Sequence, residues 1–245
     1  MQEAFWNLYA RWYDRLAVLQ PYQELQALVL AQLGDVPPNA RILDAACGTG
    51  YLLMELVKKY PLAEITGIER SVTMARQTRQ KLSRHRRDGG AGYNAKLLEL
   101  DLNKPLGGVT GWKDASFDVI ISVNTLYALN DPKAFLAECR RLLATDGVLV
   151  IVNPWVPEPE RVLYDHIHEM LALGNMKMYL EFAISAPEIV SMYVTNMVIA
   201  KRAKDRIYHF YKPEQLAELI EKSGFHVEYL DQNVYACTCC LITAR

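Results

Sequence analysis

Several features that mark particular protein classes are scarce in this 245-residue sequence. Cysteine occurs five times, an odd number that argues against a disulfide framework and favours a reducing compartment. No apolar run reaches the roughly 18 residues that a membrane-spanning helix needs. The first residues are acidic and aromatic rather than basic and then apolar, unlike a signal peptide. We therefore expect a cytoplasmic protein.

An excess of charge is also missing. Lys and Arg number 27 against 28 Asp and Glu, which gives a formal net charge of −1. Such a chain as a whole does not attract phosphate backbones, so we expect no nucleic-acid partner. The exception is the basic segment 76–87, which is followed by Gly89 and Gly90. A solvated helix end explains it, because cations complement the helix dipole there, and an anionic membrane or partner surface is the alternative.

From residue 41 onward, strand-like and helix-like segments alternate. The pattern predicts strands at 41–46, 65–69, 95–101, 117–123, 148–152, 225–231 and 235–243. It predicts helices at 50–60, 71–87, 131–144 and 213–222. Alternation of this kind is typical of an α/β fold in which helices cover both faces of a parallel sheet.

Two segments lie outside this alternation. Residues 1–33 are predicted to form two helices that break at Pro21, and residues 155–211 interrupt the chain between the fifth and sixth strands. The core of the fold is then expected in 34–154, with the last part of its sheet in 212–245. We therefore expect the chain to have four parts, 1–33, 34–154, 155–211 and 212–245, with the strands of the second and fourth parts in one continuous sheet.

The most informative segment is 42–50, with the sequence ILDAACGTG. An apolar strand that ends in Asp44 and turns through two glycines into a helix is typical of a site for a nucleotide-like cofactor. A dinucleotide site has a third glycine where this chain has Leu53, and Asp44 would repel a pyrophosphate. The turn therefore favours a ligand with an ammonium group or sugar hydroxyls and disfavours a nicotinamide oxidoreductase.

Segment 42–50 resembles the first motif of the class I S-adenosylmethionine (SAM)-dependent methyltransferases, an acidic residue followed by alternating glycines. Ala46 stands where the first of those glycines would be, whereas Gly48 and Gly50 keep the turn. The resemblance is good over residues 41–153 and weaker on both sides. It implies a doubly wound, mostly parallel seven-stranded sheet, with SAM as the methyl donor and S-adenosylhomocysteine as the product.

Further candidate cofactor residues follow the next strands, because ligands of such sheets lie beyond the carboxyl ends of the strands. Glu69, followed by Arg70, can accept hydrogen bonds from the two hydroxyls of a ribose. The resemblance implies that Asp101 and the backbone of Leu102 contact the adenine edge, and a simple cap of the following turn is the alternative for Asp101.

The resemblance also places residues near the methyl group. Val123, Asn124 and Tyr127 are expected to face the methionine part of the cofactor and the acceptor. In the N-terminal segment, aromatic residues recur at helical spacing, which an amphipathic core helix explains. Many small-molecule methyltransferases carry a similar helix over the cofactor, so Tyr13, and Tyr9 after it, are alternatively residues of a lid.

The insertion at 155–211 is rich in methionine and aromatic residues, which is typical of a core but also suits an adaptable apolar pocket. We expect a helical cover over the acceptor site, with His209 as the best candidate for a general base. His166 and His168 are two positions apart and point to different faces of a helix, so we expect no metal site.

Three hypotheses follow for the function. The first is methyl transfer from SAM to a small, apolar or aromatic acceptor by direct displacement. The second is a lipid or quinone methyltransferase that contacts a membrane surface. The third is a partner or regulatory subunit that binds SAM without catalysis. The oligomeric state is left open, with a homodimer among the alternatives.

Overall fold

The computed structural model describes residues 2–90, 94–174 and 176–245. Within them, seven strands form one sheet: β1 (Arg41–Ala45), β2 (Glu64–Ile68), β3 (Lys96–Leu98), β4 (Phe117–Val123), β5 (Leu143–Pro154), β6 (Val227–Asn233) and β7 (Cys239–Ala244). Their order is β3-β2-β1-β4-β5-β7-β6, and β7 runs antiparallel to both of its neighbours, whereas the other described pairs are parallel. The predicted fold class, a mostly parallel seven-stranded α/β sheet, is confirmed.

Helices connect and flank these strands in the described residues. They are α1 (Gln2–Tyr13), α2 (Gln20–Ala31), α3 (Tyr51–Lys59), α4 (Val72–Arg87), α5 (Gly107–Thr110), α6 (Pro132–Leu142), α7 (Pro159–Leu173), α8 (Met176–Lys204), α9 (Pro213–Lys222) and α10 (Val234–Cys237). Helices α7 and α8 lie between β5 and β6, in the segment where the sequence predicts a helical cover. Short 3-10 segments cover Asp14–Val18 and Leu126–Ala128.

Period-two alternation along the central strands builds two apolar layers. On one face, Ile42 and Val150 pack in a cluster that also contains Leu53 of α3. On the other face, Leu43 and Ile151 belong to a cluster whose helical side comes from α6 and α9. Because both faces are covered, the central strands carry apolar residues on both sides, as the parallel arrangement requires.

Four predicted boundaries differ from the structure by more than two residues and are wrong. The break within 1–33 lies at Asp14–Val18, and Pro21 belongs to the first turn of α2, where proline is tolerated. Strand β3 spans three residues instead of 95–101, because Asp101 already turns the chain through hydrogen bonds to Asn103. Strand β5 begins at Leu143 rather than at residue 148.

The fourth wrong boundary is in the last predicted strand. Tyr235, Ala236 and Cys237 have φ values of 54°, 55° and 56°, in the left-handed region, so the chain coils before β7 begins at Cys239. Cys237 is therefore exposed outside the strand, whereas Cys239 and Cys240 pack on opposite faces of the sheet.

Candidate functional site

A cavity of about 200 Å³ lies beyond the carboxyl ends of β1, β2 and β4, and α1 and α8 also line it. The structure brings together most of the candidate residues in its lining: Tyr13, Ala46, Gly48, Glu69, Arg70, Asp101, Leu102, Val123, Asn124 and Tyr127. Asp44 lies in β1 just before the turn, Gly50 lies at the start of α3, and His209 lies elsewhere. The convergence follows from the parallel sheet, whose strand ends meet at one edge.

The turn after β1 depends on left-handed backbone conformations. Gly50 has a φ of 80°, and a Cβ atom at this position would lie 2.7 Å from Thr78 Cγ2. The same threonine donates a hydrogen bond of 2.9 Å from Oγ1 to the carbonyl of Gly48. Ala46 has a φ of 65°, so an alanine occupies a conformation that favours glycine. Helix α4 therefore holds the turn in place.

Asp44 is buried beneath this turn. Its Oδ2 atom has no hydrogen-bond partner among the described residues. Burial, and then the nearby charge of Glu69, raise the pKa of Asp44 to about 7. A buried carboxylate without a partner is costly to ionise unless a cation or donor meets it. The residue thus has an unused acceptor that an ammonium group can satisfy.

Glu69 joins the end of β2 to the turn. Its Oε2 atom accepts a 3.0 Å hydrogen bond from the backbone of Gly48, and Oε1 accepts a 2.6 Å bond from that of Ser71. Burial raises the pKa of Glu69 although these backbone bonds act in the opposite direction. Because each carboxylate oxygen can accept two hydrogen bonds, both oxygens keep capacity for the hydroxyls of a ribose.

Asp101 caps its own turn, as the alternative interpretation proposed. Its Oδ1 atom accepts bonds of 3.1 Å and 2.8 Å from the backbone and side chain of Asn103, and Arg70 lies 3.5 Å from the same atom. Burial raises the pKa of Asp101, but these partners outweigh it and hold the pKa below its usual range. All three bonds end on Oδ1, so capping does not exclude a role of Oδ2 toward a ligand.

Helix α1 covers the cavity with Trp6, Tyr9 and Tyr13. Asn7 fixes its position, because its Oδ1 atom accepts a 2.7 Å hydrogen bond from the hydroxyl of Ser71, the capping residue of α4. Burial raises the pKa of Tyr13 to about 12, so its hydroxyl is protonated at neutral pH. These aromatic residues pack with one another and also face the cavity, so their positions are compatible with a core helix and with a lid.

At the end of β4, Asn124 has a φ of 53° and accepts a 3.6 Å contact at Oδ1 from the thiol of Cys239. Tyr127 follows in the 3-10 turn, and its backbone donates a 2.9 Å hydrogen bond to the buried side chain of Asn153. Burial raises the pKa of Tyr127 well above its usual value. Its hydroxyl is therefore a hydrogen-bond donor, not a base, at neutral pH.

His209 is not brought to the cavity. The rings of Tyr208 and Phe210 both contact Tyr127, with centroids 5.2 Å and 5.4 Å away. The intervening imidazole instead stacks on Tyr211 at 5.9 Å, while the backbone of His209 donates to the carbonyl of Tyr127. The rings on either side of His209 thus pack against Tyr127, and Phe210 lines the cavity whereas His209 does not.

The two insertion histidines also point in different directions. His166 is buried and its Nδ1 atom accepts a 3.0 Å hydrogen bond from the backbone of Gln20, whereas His168 is exposed. In the described residues there is no group of three His, Cys, Asp or Glu side chains that could hold a metal ion.

Sequence reasoning missed part of the lining. The insertion contributes Val162, Asn196, Ile199 and Ala200, and the segment before β7 contributes Tyr235, Thr238 and Cys239. Apolar residues at helical spacing look the same whether they face a core or a cavity. A usable signal was the polar pair Thr195-Asn196 inside an apolar stretch, because buried amides need partners.

Comparison with known proteins identifies the family of this chain. Residues 37–224 match the family model of a methyltransferase domain. The chain belongs to the class I SAM-dependent methyltransferases. This methyltransferase is 35% identical over 223 residues to the malonyl-[acyl-carrier protein] O-methyltransferase of Geobacter sulfurreducens, which covers 90% of this chain and 68% of that protein. It is 25% identical to the demethylmenaquinone methyltransferase of Thermotoga maritima, over 80% of this chain and 73% of that protein.

Solved structures share the fold of this methyltransferase. A SAM-dependent methyltransferase from Aquifex aeolicus superposes with a TM-score of 0.56 at 19% identity, over 94% of this chain and 92% of the other. A Haloferax volcanii methyltransferase in complex with the Trm112 activator gives a TM-score of 0.64 at 14% identity, over 98% and 96% of the two chains. At these identities the comparison concerns the fold alone.

Proposed function

We propose that this methyltransferase transfers the methyl group of SAM to a small, apolar or aromatic acceptor by direct displacement. The observation that carries the proposal is one cavity with two kinds of lining. Glu69 and Asp101 bring carboxylates to it from successive strand ends, while Tyr127, Phe210 and Ile199 bring an aromatic and aliphatic surface from the opposite elements. The first part suits the donor and the second suits the acceptor.

The residues present fit SAM. The remaining lone pairs of Glu69 suit the ribose hydroxyls, and the unpartnered Oδ2 of Asp44 suits the ammonium group. We assign the adenine edge to Asp101 and the backbone of Leu102, on the resemblance to the family. We assign the methionine part to Val123 and Asn124 on the same basis.

When bound, SAM supplies an electrophilic methyl group on a positively charged sulfur. The chain then has to align a nucleophile and keep water out. The faces of Tyr9 and Tyr13 attract a cation by about 1 kcal/mol where water is excluded. Tyr127 can orient a polar atom of the acceptor by donating a hydrogen bond from its hydroxyl group. We assign the segments 1–33 and 155–211 the role of a cover over the acceptor.

The charges around the cavity favour a neutral acceptor. Among the described lining residues Arg70 is the only cation, and it already pairs with Asp101 at 3.5 Å. A carboxylate acceptor would add a further negative charge near Glu69, and no unpaired cation among the described lining residues would meet it. For this reason we do not assign to this chain the malonyl-[acyl-carrier protein] acceptor that is named for the Geobacter sulfurreducens relative.

A lipid or quinone acceptor at a membrane surface is the second candidate. The demethylmenaquinone methyltransferase of Thermotoga maritima supports it, as does the Desulfotalea psychrophila protein named as a ubiquinone/menaquinone biosynthesis C-methyltransferase, 25% identical to this chain. The apolar residues exposed on α8 support it independently.

The decisive experiment supplies methyl-labelled SAM to the purified protein together with a cell extract. We expect label in a small molecule that partitions into organic solvent, and a Glu69→Gln variant with far weaker SAM binding provides the matched blank. Label in precipitated protein would contradict a small acceptor. Measurable SAM binding without any transfer would instead support a non-catalytic partner subunit.

A further inference from the structure

Helix α8 has an unusually apolar outer surface. Between Glu181 and Lys201, every exposed side chain that the structure describes is apolar. We call the outer stripe the set Met176, Leu180, Ile184, Val190, Val194, Met197 and Val198, whose exposed fractions lie between 40% and 77%. Single exposed apolar residues are common, whereas a continuous row of them marks an interaction surface.

The opposite face of α8 is already used. Ser185, Ile189 and Thr195 are buried there, and Ile199 and Ala200 are buried and also line the cavity. Asn196 on this inner face is held by Tyr9 of α1. The outer stripe is therefore not needed to close the cavity, and it lies on the outside of the helix that covers the acceptor.

Cations flank the outer stripe. Lys201, Lys204 and Arg206 are exposed at its end, with Asp205 as the one acidic residue in the segment 199–207. At its beginning Lys177 lies 3.7 Å from Glu181. An apolar row that ends in lysine and arginine is typical of a helix that lies in the interface of an anionic membrane.

The bend in α8 is consistent with a surface position. No single helix in the described part of the chain is long and apolar enough to cross a membrane, although the pair Met176–Pro187 and Ile189–Lys204, which bends by 57°, passes by length and composition. Because the inner face of the same pair packs over the cavity, α8 cannot be surrounded by lipid. It can present one side only.

We propose that the outer stripe of α8 docks on an anionic lipid surface, with the basic end at 201–206 against the headgroups. A second copy would bring the same excess of cations, because its own segment 201–206 also carries Lys201, Lys204 and Arg206 against the one acidic residue Asp205. An anionic membrane, by contrast, supplies the charge that the basic end lacks. Docking would place the covered cavity beside the lipid in which apolar acceptors dissolve. This last point rests on the proposed function, but lipid binding itself is measured without methyl transfer.

The test is flotation of the full-length protein with vesicles of phosphatidylcholine alone or with phosphatidylglycerol added. The variant combines Ile184→Glu and Val194→Glu, which have exposed fractions of 63% and 57%. The matched control is Leu62→Glu, an equally exposed leucine (65%) in the turn before β2. We expect the wild type and the control to bind the anionic vesicles and the double variant to bind at least tenfold more weakly.

A second variant tests the charges. Lys201→Gln with Lys204→Gln should weaken binding to phosphatidylglycerol vesicles, and added salt should weaken wild-type binding, because exposed charges are screened. Circular dichroism and SAM titration establish that each variant is folded, so a failure of docking is distinct from a failure of methyl transfer. Absence of wild-type binding to either vesicle, or equal binding of the double variant and the control, would overturn the proposal. A dimer that the double variant dissociates, without vesicle binding, would assign the stripe to a second copy instead.

Discussion

The hydroxyl of Tyr9 donates a 2.7 Å hydrogen bond to Oδ1 of Asn196, which joins two helices 187 positions apart in the sequence. Both residues line the cavity. Burial raises the pKa of Tyr9 far above its usual value, so this proton stays in place throughout the physiological pH range. The hydrogen bond thus ties the N-terminal helix to the insertion at the cavity, which supports the cover that we propose.

Removal of this bond should loosen the cover. Tyr9→Phe keeps the ring but leaves Asn196 Oδ1 without its donor, which costs about 1 kcal/mol. We expect SAM affinity in isothermal titration calorimetry to fall about fivefold, with a small loss of thermal stability. Tyr164→Phe is the control, because this tyrosine is 73% exposed on α7. Equal affinities in the two variants would mean that the bond does not contribute to closure.

Asp44 should make SAM binding depend on pH. With its pKa raised from 3.8 to about 7, the carboxyl group is mostly protonated at pH 6 and ionised at pH 8. A cation prefers the ionised form, so affinity should be about tenfold weaker at pH 6 than at pH 8. Asp44→Asn should bind more weakly at pH 8 and lose this dependence. Unchanged affinity in the variant would remove Asp44 from the site.

The raised pKa of Asp44 makes the stability of the free protein depend on pH in the opposite direction to SAM affinity. Because the folded protein holds this proton more tightly than the unfolded chain, the Asp44 contribution to stability falls as pH rises from about 4 to about 7. In thermal denaturation without ligand, Asp44→Asn should be more stable than the wild type at pH 8. The difference should vanish near pH 4. If the wild type and Asp44→Asn had equal melting temperatures at pH 8 as well as near pH 4, the buried position of the charge would be contradicted.

Gly50 is required for steric reasons as well as conformational ones. Gly50 and Gly34 both have positive φ, 80° and 63°, but only at Gly50 would a Cβ clash with Thr78. Gly34→Ala should cost about 1 kcal/mol for the left-handed conformation, and Gly50→Ala roughly 1 to 3 kcal/mol more. Urea denaturation measures both. Addition of Thr78→Ala to Gly50→Ala should recover part of the difference.

Glu69 should be necessary for SAM binding. Glu69→Gln removes the charge that accepts bonds from Gly48 and Ser71, and such charge-assisted bonds contribute about 1.5 to 3 kcal/mol. We expect SAM affinity to fall by one to two orders of magnitude in titration calorimetry. Glu64→Gln, at the exposed start of the same strand, should change nothing. Similar losses in both variants would point to a general charge effect.

His209 tests the role of a general base. Because its ring stacks on Tyr211 outside the cavity lining, His209→Gln should keep kcat and its pH profile. Tyr127→Phe should lower kcat, since the Tyr127 ring lines the cavity on the side that we assign to the acceptor. A pH profile that loses its acidic limb in His209→Gln would show that the histidine acts in catalysis after all.

Particular residues show how far the sequence predicts the arrangement at the edge of the sheet. The turn at Asp44, Gly48 and Gly50, and the carboxylates Glu69 and Asp101 at the next strand ends, are local signals whose positions follow once the sheet is parallel. Strand ends meet at one edge, so the approximate arrangement of these groups needs no further information. The position of these groups at the edge of the sheet was accordingly predictable from residue type and order, and their roles toward SAM stay predictions.

The sequence by itself determined the fold class, the family and the edge of the sheet at which the cavity lies, because apolar strands that alternate with helices and a glycine turn after an acidic residue are local patterns. Only the tertiary structure decided which side chains beyond the donor face the cavity. Asn196 lines the cavity although it was not predicted to, and His209 does not line it although it was. The reason is that the packing of α8 and the ring contacts of Tyr127 join distant segments of the chain. Such contacts leave no local pattern, and the part of the cavity that we assign to the acceptor is built almost entirely from them.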